Sequence, residues 1–420
     1  MQITSHVAIY IPQLPDKQKL IEQLEARSFP AELNFLNDLN GYVFTGSTLL
    51  DFIKEELRHE LYFIKPVNGV SLATSSEGEQ KKAMLYHLLA QNQGYLVLDD
   101  FFDNLDTAIQ TEVTKAITQA SAQTIIVQLF GRIKDLLPFI NNVFLFEKNQ
   151  LMNIDKNGIE RFAVKKDTVL LIPPPIEHLI HLQDPIIQFI DVNVHYNERA
   201  ILKNINWKIN KGQYWQLKGP NGSGKTTLLS MISGDNTKAY RQNITLFGYK
   251  KGTGETVWDI KKHIGYFSQA IMRFFERHDS AENMIAGGMA DTIGLYQQPS
   301  DAVMQLANEW LQVLGLQHQN KKTFVNFTAG HQRMILIARA MIKHPPLLIL
   351  DEPTAGLNDA DAALIVSLIN KIAAETTTAI IFVSHRNEAG LQPGFIFELV
   401  PGADGSIGKV IICAPSLPKP

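Results

Sequence analysis

Apolar residues recur along this chain at two spacings, which divide it into alternating strands and helices. Residues 213–217 alternate polar and apolar side chains as a strand does, and the apolar residues within 228–232 recur at helical spacing. Residues 5–11 are also strand-like, and residues 17–27 have helical periodicity. Residues 347–350 form a continuous apolar run, as expected of a parallel strand that is covered on both faces. The pattern predicts an α/β protein.

The same pattern occurs twice in the same order, which indicates an internal duplication. Residues 75–100 contain a helix start, an apolar strand and two carboxylates at its end, and residues 327–352 repeat these features. We interpret residues 41–48 as the first copy of the strand and loop that follow Gly212. This first copy lacks the glycines and the lysine that bind phosphate, so we expect no ATP there. It has also lost most of the segment between its loop and its later helix.

Three prolines at 173–175 mark the connection between the two copies, because prolines favour an extended and stiff chain. We therefore expect a degenerate domain without a phosphate loop at residues 1–150, a linker at residues 151–184, and an intact domain at residues 185–420.

A glycine-rich stretch lies between the strand 213–217 and the helix 228–232. Glycine lets the backbone fold tightly there, so that successive N–H groups and the helix N-terminus face one anion. The lysine of the stretch would reach the β- and γ-phosphates, and the following threonine would hold Mg²⁺. The sequence therefore predicts a nucleotide-binding loop, whose residues are Gly219, Pro220, Asn221, Gly222, Ser223, Gly224, Lys225, Thr226 and Thr227.

Two carboxylates end the apolar run 347–350. Asp351 is expected across from the phosphate loop, where it would bind Mg²⁺ directly or through water. Glu352 would orient and deprotonate the attacking water. Together with the loop, this pair predicts that ATP and Mg²⁺ are bound and that ATP is hydrolysed.

Composition narrows the class of protein. The 420 residues are 45% hydrophobic and 19% charged, which is typical of a soluble globular protein. A net charge of −3 gives no electrostatic reason to expect nucleic-acid binding. The single cysteine, Cys413, excludes an internal disulfide and fits a reducing cytoplasm. We see no signal peptide, and no apolar run reaches the ~18 residues of a transmembrane helix. We expect a cytoplasmic protein that reaches the inner face of the membrane only peripherally, through a partner.

These motifs, in this order, resemble those of the ATP-binding cassette (ABC) ATPases, in both halves of the chain and nearly throughout the second. Residues 246–248 and 252–266 are more narrowly similar to the tandem-cassette ModF-like proteins, which are molybdenum-transport or photorepair ATP-binding proteins. The resemblance implies two P-loop NTPase-like ABC domains in tandem, the first truncated and degenerate. It also implies ATPase activity and a membrane permease subunit as one candidate partner. It identifies no transported substrate.

The resemblance implies roles for residues that no local pattern singles out. Tyr196 matches the aromatic residue that stacks on adenine. Gln269 matches the glutamine that contacts Mg²⁺ and water. His385 matches the switch histidine at the γ-phosphate. Asp351 and Glu352 match the metal-binding aspartate and the catalytic glutamate.

ABC domains act as head-to-tail pairs, in which the phosphate loop of one domain and the signature helix of the other enclose a nucleotide. For this chain, the resemblance implies an intramolecular pair in which Ser76 and Gly78 complete the site of the intact loop. Glu77 and Glu79 depart from the usual glycine and glutamine. The other pairing joins a broken loop to a signature that has drifted at residues 328–331. We therefore predict one working and one vestigial ATP site per chain.

Two functions stay open at this point. The first is an ATPase that couples domain closure to a partner. The second is a nucleotide-gated regulatory module with negligible hydrolysis and no permease, which Glu77, Glu79 and Asn358 in place of the usual aspartate favour. A ribosome- or DNA-associated cassette is disfavoured by the acidic net charge, so no nucleic-acid partner is expected. A P-loop kinase would not need Gln332, Arg333 and His385 in this arrangement.

Overall fold

The computed structural model describes residues 6–11, 14–59, 64, 72–91, 93–103, 105–147, 149–156, 171–176, 182–196, 199–275, 278–293, 297–384 and 388–413. Contacts divide the chain into two compact units. The first comprises residues 1–165 with 355–362, and the second comprises residues 166–354 with 363–420.

The first unit is built on one six-stranded sheet in the order β2-β3-β4-β1-β5-β6. Its first five strands run parallel, and β6 is antiparallel to β5. Buried apolar residues form a separate core on each face of the sheet, as expected of a parallel sheet. The elements are β1 (Val7–Tyr10), α1 (Leu14–Glu25), β2 (Gly41–Phe44), α2 (Gly46–His59), α3 (Glu77–Ala90), β3 (Tyr95–Asp99), α4 (Thr107–Ala120), β4 (Ile125–Phe130), β5 (Asn142–Glu147) and β6 (Gln150–Ile154).

The second unit has a six-stranded sheet in the order β12-β13-β14-β9-β15-β16 and an antiparallel sheet in the order β11-β10-β7-β8. One buried core contains residues of both sheets and of α5. The strands are β7 (Ile187–Tyr196), β8 (Arg199–Ile209), β9 (Tyr214–Lys218), β10 (Asn243–Leu246), β11 (Tyr249–Lys250), β12 (Ile264–Ser268), β13 (Leu347–Asp351), β14 (Ala379–Val383), β15 (Phe395–Val400) and β16 (Ile407–Ile412). The helices are α5 (Lys225–Ile232), α6 (Val257–Lys261), α7 (Gln269–Met272), α8 (Ala281–Ala286), α9 (Asp301–Val313), α10 (Ala329–Met341) and α11 (Asp359–Glu375).

The two six-stranded sheets match strand for strand, and this match corrects the interpretation of residues 41–48. In the order of strands, β1 takes the place of β9, and β2 takes the place of β12. Residues 41–48 are therefore the counterpart of residues 264–269, and their interpretation as a degenerate phosphate loop is wrong. The error arose because a strand followed by a helix looks alike at either place, whereas strand order depends on pairing between distant segments.

The true counterpart of the phosphate loop is shorter than the original. β1 and α1 are separated only by residues 11–13, whereas β9 and α5 are separated by residues 219–224. Residues 12 and 13 lie outside the described part of the chain. The described residues of the first unit also include no antiparallel sheet like that of the second.

The structure also bears on the predicted linker. Residues 151–154 belong to β6, which pairs with β5 in the first sheet. Residues 157–170 and 177–181 of the predicted linker lie outside the described residues. Among the helices of the described residues, none is long and apolar enough to cross a bilayer.

Candidate functional site

The predicted phosphate loop lies where β9 ends at Lys218 and α5 begins at Lys225. Two of its glycines are required by close contacts. A Cβ atom on Gly219 would lie 2.5 Å from Ser223 Oγ, and one on Gly224 would lie 2.7 Å from Leu202 Cδ2. Gly224 also has a φ of 97°, which favours glycine. The loop therefore folds into a cradle that side chains would fill.

The polar groups of this cradle suit an anion. Lys225 Nζ donates to the backbone oxygens of Gly219 at 2.7 Å and Pro220 at 3.0 Å, so the ammonium lies within the loop. Ser223 Oγ is buried and has no hydrogen-bond partner among the described residues. An unsatisfied buried hydroxyl beside a lysine and a helix N-terminus fits a bound phosphate group.

The predicted carboxylates lie at the same edge of the sheet. The residue pairing places Asp351 beside Ser268 of β12 and Val383 of β14, and Gln269 follows Ser268 directly. Glu352 has a φ of 52°, and its N–H donates to Val383 O at 3.1 Å. The carboxyl ends of β9, β12, β13 and β14 thus bring the loop, Gln269 and the carboxylates to one edge.

Asp351 is in an environment that opposes its ionisation. Burial and the neighbouring carboxylate of Glu352 raise the pKa of Asp351 to about 6, although Lys225 lowers it. A cation would relieve this repulsion. The oxygen atoms of Thr226, Gln269 and Asp351 form the kind of donor set that Mg²⁺ prefers, so these residues fit a bound Mg²⁺ ion.

Two further predicted residues belong to the second unit. Tyr196 ends β7 and its side chain is exposed, while its hydroxyl accepts a hydrogen bond from Asn236 Nδ2 at 2.9 Å. Lys238 Nζ lies 5.7 Å from the centroid of the Tyr196 ring. The exposed ring is thus held at its hydroxyl end, as a stacking surface for a base would need. His385 lies outside the described residues.

The predicted signature residues of the first unit lie at the start of α3. Ser76 is exposed, and its N–H and Oγ both donate to Glu79 Oε2 at 3.0 Å. Gly78 is buried, and a Cβ atom there would lie 3.1 Å from Ile109 Cδ1. Gly78 therefore allows α3 to pack closely against α4. The roles of Ser76 and Gly78 towards a nucleotide stay predictions.

Residue pairing also identifies the first-unit counterpart of the switch histidine. Asp99 pairs with Leu129 as Asp351 pairs with Val383, so Gly131 occupies the place of His385. A Cβ atom on Gly131 would lie 3.1 Å from the Cβ atom of Asn358, which belongs to the same unit. The packing around Gly131 is therefore tight for any side chain.

Sequence reasoning missed one charged residue of the first unit. Lys17 of α1 forms ion pairs with Asp99 and Asp100, the counterparts of Asp351 and Glu352. No local signal could have shown this pairing, since 82 positions (99 − 17) separate Lys17 from Asp99.

Comparison with known proteins gives consistent matches. A family model described as ABC transporter matches residues 202–355. The chain is 35% identical over 393 residues to the ABC transporter ATP-binding protein ModF of Escherichia coli K12, a match that covers 88% of this chain and 79% of that protein. It is 28% identical over 323 residues to an uncharacterized ABC transporter ATP-binding protein of Schizosaccharomyces pombe, covering 75% and 66% of the two chains.

Solved structures share the fold over nearly the whole chain. The complex of the archaeal ribosomal stalk protein aP1 and the archaeal ribosome recycling factor aABCE1 contains a chain that matches with a TM-score of 0.64. The match covers 96% of this chain and 85% of that one. At 14% sequence identity, this likeness concerns the fold alone.

Proposed function

This chain belongs to the family of ABC transporter ATP-binding proteins, which are ATPases, and we propose that it hydrolyses MgATP at one site per chain. The observation that carries the proposal is the set of groups at one sheet edge of the second unit. There the anion cradle around Lys225 follows β9, and the pair Asp351–Glu352 lies at the end of β13 in the same sheet. The first unit has the corresponding strands but only residues 11–13 where the cradle would be.

In this proposal, the residues of the site have the following roles. Lys225 and the N–H groups of the loop bind the phosphates, and Tyr196 stacks on the adenine. Glu352 accepts a proton from the attacking water, and Gln269 and His385 orient the water and the γ-phosphate.

Charge compensation completes this assignment. Mg²⁺, when bound, would neutralise phosphate charge, and Thr226, Gln269 and Asp351 are the residues that would hold it. The raised pKa of Asp351 supports this role, because a carboxylate whose charge is unfavourable gains most from a cation.

We further propose that the signature of the first unit, with Ser76 and Gly78, completes the γ-phosphate side of this site. The support is the order of motifs in the chain and the exposed Ser76 at the N-terminus of a 14-residue helix, where N–H groups attract anions. The carboxylate of Glu79 binds the Ser76 hydroxyl and has to release it before the hydroxyl can contact a phosphate.

The name of the Escherichia coli relative supports a transport-related role. We propose that ATP-driven closure is transmitted to a partner protein, for which a membrane permease subunit is the leading candidate. The Glu352→Gln protein, held with ATP and recovered with its bound partners, tests this point. Recovery of a permease supports the transport role, whereas a soluble protein or nucleic acid as the dominant partner contradicts it.

A second function has one observation in its favour. The Glu79 carboxylate bound to Ser76 places negative charge at the helix N-terminus and opposes approach of a γ-phosphate. This would suit a nucleotide-gated regulatory module with negligible hydrolysis. Phosphate release from the purified wild-type chain decides between the two functions. Release above that of a Lys225→Ala control supports the ATPase, and equal rates support the regulatory module.

A further inference from the structure

In the two units, the equivalent strands β3 and β13 are each followed by a pair of carboxylates at their carboxyl ends. Asp100 and Glu352 both have positive φ, 36° and 52° respectively. The N–H of Asp100 donates to Leu129 O at 3.0 Å, and that of Glu352 donates to Val383 O at 3.1 Å. The backbone therefore presents Asp99 and Asp100 in the same way as it presents Asp351 and Glu352.

The first pair has an internal cation, Lys17 of α1. Lys17 Nζ lies 2.6 Å from Asp99 Oδ1, and it also donates to Asp100 Oδ2. The side chains of Lys17 and Asp99 are each 13% exposed and that of Asp100 is 26% exposed, so little water screens these charges. The other oxygen of Asp100 accepts a hydrogen bond from Gly131 N at 3.1 Å. In the second unit, Asp351 forms no ion pair with any residue that the structure describes.

Lys17 remains a cation in this place. Burial lowers its pKa, but the charges of Asp100 and Asp99 outweigh burial and raise the pKa above its usual value. Lys17 also reaches its position differently from the phosphate-binding lysine. It is the fourth residue of α1, whereas Lys225 is the first residue of α5. Its side chain therefore serves the carboxylates and not a phosphate loop.

An ammonium in this position competes with a metal ion. Mg²⁺ binds carboxylate oxygens at about 2.0–2.1 Å, so an ion on Asp99 Oδ1 would share that oxygen with the nearby Lys17 Nζ. Two like charges so close together and away from water repel strongly. The cavity beside them has a volume of about 520 Å³, and its lining includes Glu22, Glu25, Thr45 and Ser47 as well as Lys17 and Asp99. Oxygen ligands are thus available, and the positive charge of Lys17 is what opposes the binding of a metal ion.

We propose that Lys17 takes the place of a divalent metal ion at the carboxylate pair of the first unit. It acts as a permanent internal cation for Asp99 and Asp100 and keeps the first site closed to divalent metal. At the second site the lysine that acts on Asp351 is Lys225, which belongs to the phosphate loop, and MgATP binds there. The proposal rests on the proposed function for the second site only, because the closure of the first site can be measured without ATP.

The test is the substitution Lys17→Met, which keeps the length of the side chain and removes its charge. Without divalent metal, two carboxylates of low exposure lose their cation, and we expect the melting temperature to fall by about 10 °C. Added Mg²⁺ should restore most of this loss, because the ion binds the folded state preferentially. In a titration followed by electron paramagnetic resonance, Lys17→Met should bind one more Mn²⁺ per chain than the wild type.

Two variants control for a general loss of structure. Lys17→Arg keeps the charge and should melt like the wild type without responding to Mg²⁺. The triple variant Lys17→Met, Asp99→Asn, Asp100→Asn removes the repulsion and should recover stability without binding the extra Mn²⁺. If Lys17→Met alone is too unstable to purify, the triple variant still decides. An unstable triple variant overturns the proposal, as does a Lys17→Met protein that melts like the wild type or binds no extra Mn²⁺.

Nucleotide stoichiometry separates this proposal from the proposed function. Equilibrium dialysis of the wild-type chain with MgATP should give one nucleotide per chain. Two nucleotides per chain would overturn the role of Lys17 and leave the ATPase intact. No bound nucleotide would overturn the proposed function, while the melting and Mn²⁺ measurements would still support or overturn the role of Lys17.

Discussion

At the end of β3, Lys17 forms ion pairs with Asp99 and Asp100, whereas at the end of β13 the lysine whose charge acts on Asp351 is Lys225 of the predicted phosphate loop. Burial raises the pKa of Asp99 and that of Asp351, the latter to about 6. The backbone is nearly the same in the two places, down to the positive φ of the second carboxylate residue. The two places therefore differ in which segment supplies the lysine that acts on the carboxylates. In the first unit this lysine comes from the first turn of α1, and in the second it belongs to the loop that is predicted to bind phosphate.

The loops of the two units differ in the same direction. Residues 219–224 form a cradle whose polar groups suit an anion, while residues 11–13 are too few to repeat it. The comparison shows that the six-stranded sheet can be present without the phosphate loop. Burial of the strands stabilises the fold whether or not a nucleotide binds, so the first unit keeps its six strands after losing its loop.

The largest expected difference between the units concerns their two lysines. Lys225→Ala should weaken ATP binding by at least ~10²-fold, because a cation that binds phosphate directly is lost. Lys17→Met should leave the ATP dissociation constant of the second site within about twofold, since that lysine pairs with carboxylates. Isothermal titration calorimetry with MgATP measures both. Equal losses in the two variants would show that the lysines share one role and would remove the distinction drawn here.

The second carboxylate of each pair gives the next comparison. Glu352→Gln should lower the turnover number by about 10²–10³-fold with ATP still bound, because the general base is removed. Asp100→Asn, at the equivalent place in the first unit, should leave turnover unchanged to within about twofold. Phosphate release at saturating MgATP, together with retention of labelled ATP, checks both variants. Wild-type turnover in Glu352→Gln would contradict its assignment as the base.

Local patterns in the sequence predict the site of the second unit, and residues 41–48 of the first unit were misinterpreted for a physical reason. In the second unit, the loop before α5 and the carboxylates after β13 are local signals, because glycine contacts and strand ends depend on nearby residues. In the first unit, residues 41–48 resemble a strand and loop locally, but only pairing with β3 shows that they match residues 264–269. The contact of Lys17 with Asp99 likewise depends on the folded sheet. Local pattern therefore indicates loops and strand ends, but it does not give the order of the strands in a sheet.

A third comparison uses the residues that precede α3 and α10. Ser76→Ala should lower turnover by about 10-fold with little change in ATP affinity, because one hydrogen bond to a developing charge is lost. Thr328→Ala, at the matching place in the second unit, removes a helix cap to His331 N and should lower the melting temperature without affecting turnover. Steady-state kinetics and thermal melting separate the two effects. If Thr328→Ala reduces turnover more than Ser76→Ala, the predicted pairing of sites is the wrong way round.

The smallest expected effect is a rise in turnover, whereas the changes in turnover predicted above are decreases. Glu79→Gln removes the negative charge beside Ser76 while keeping a side chain of the same shape, and we expect turnover to rise by about 2–5-fold. Glu77→Gln is the matched control, because its carboxylate is largely exposed and lies 3.6 Å from Lys81 Nζ, so its removal should change turnover less.

Salt and a double variant show whether this gain depends on charge near a phosphate. The gain in Glu79→Gln should shrink as ionic strength rises, because screening weakens the repulsion in the wild type. It should also vanish in the Ser76→Ala background if the carboxylate acts through the serine. A gain that survives both changes would mean that Glu79 acts elsewhere. Unchanged turnover in Glu79→Gln itself would mean that the N-terminus of α3 never meets the γ-phosphate, and the first unit would then contribute no group to the ATP site through this helix.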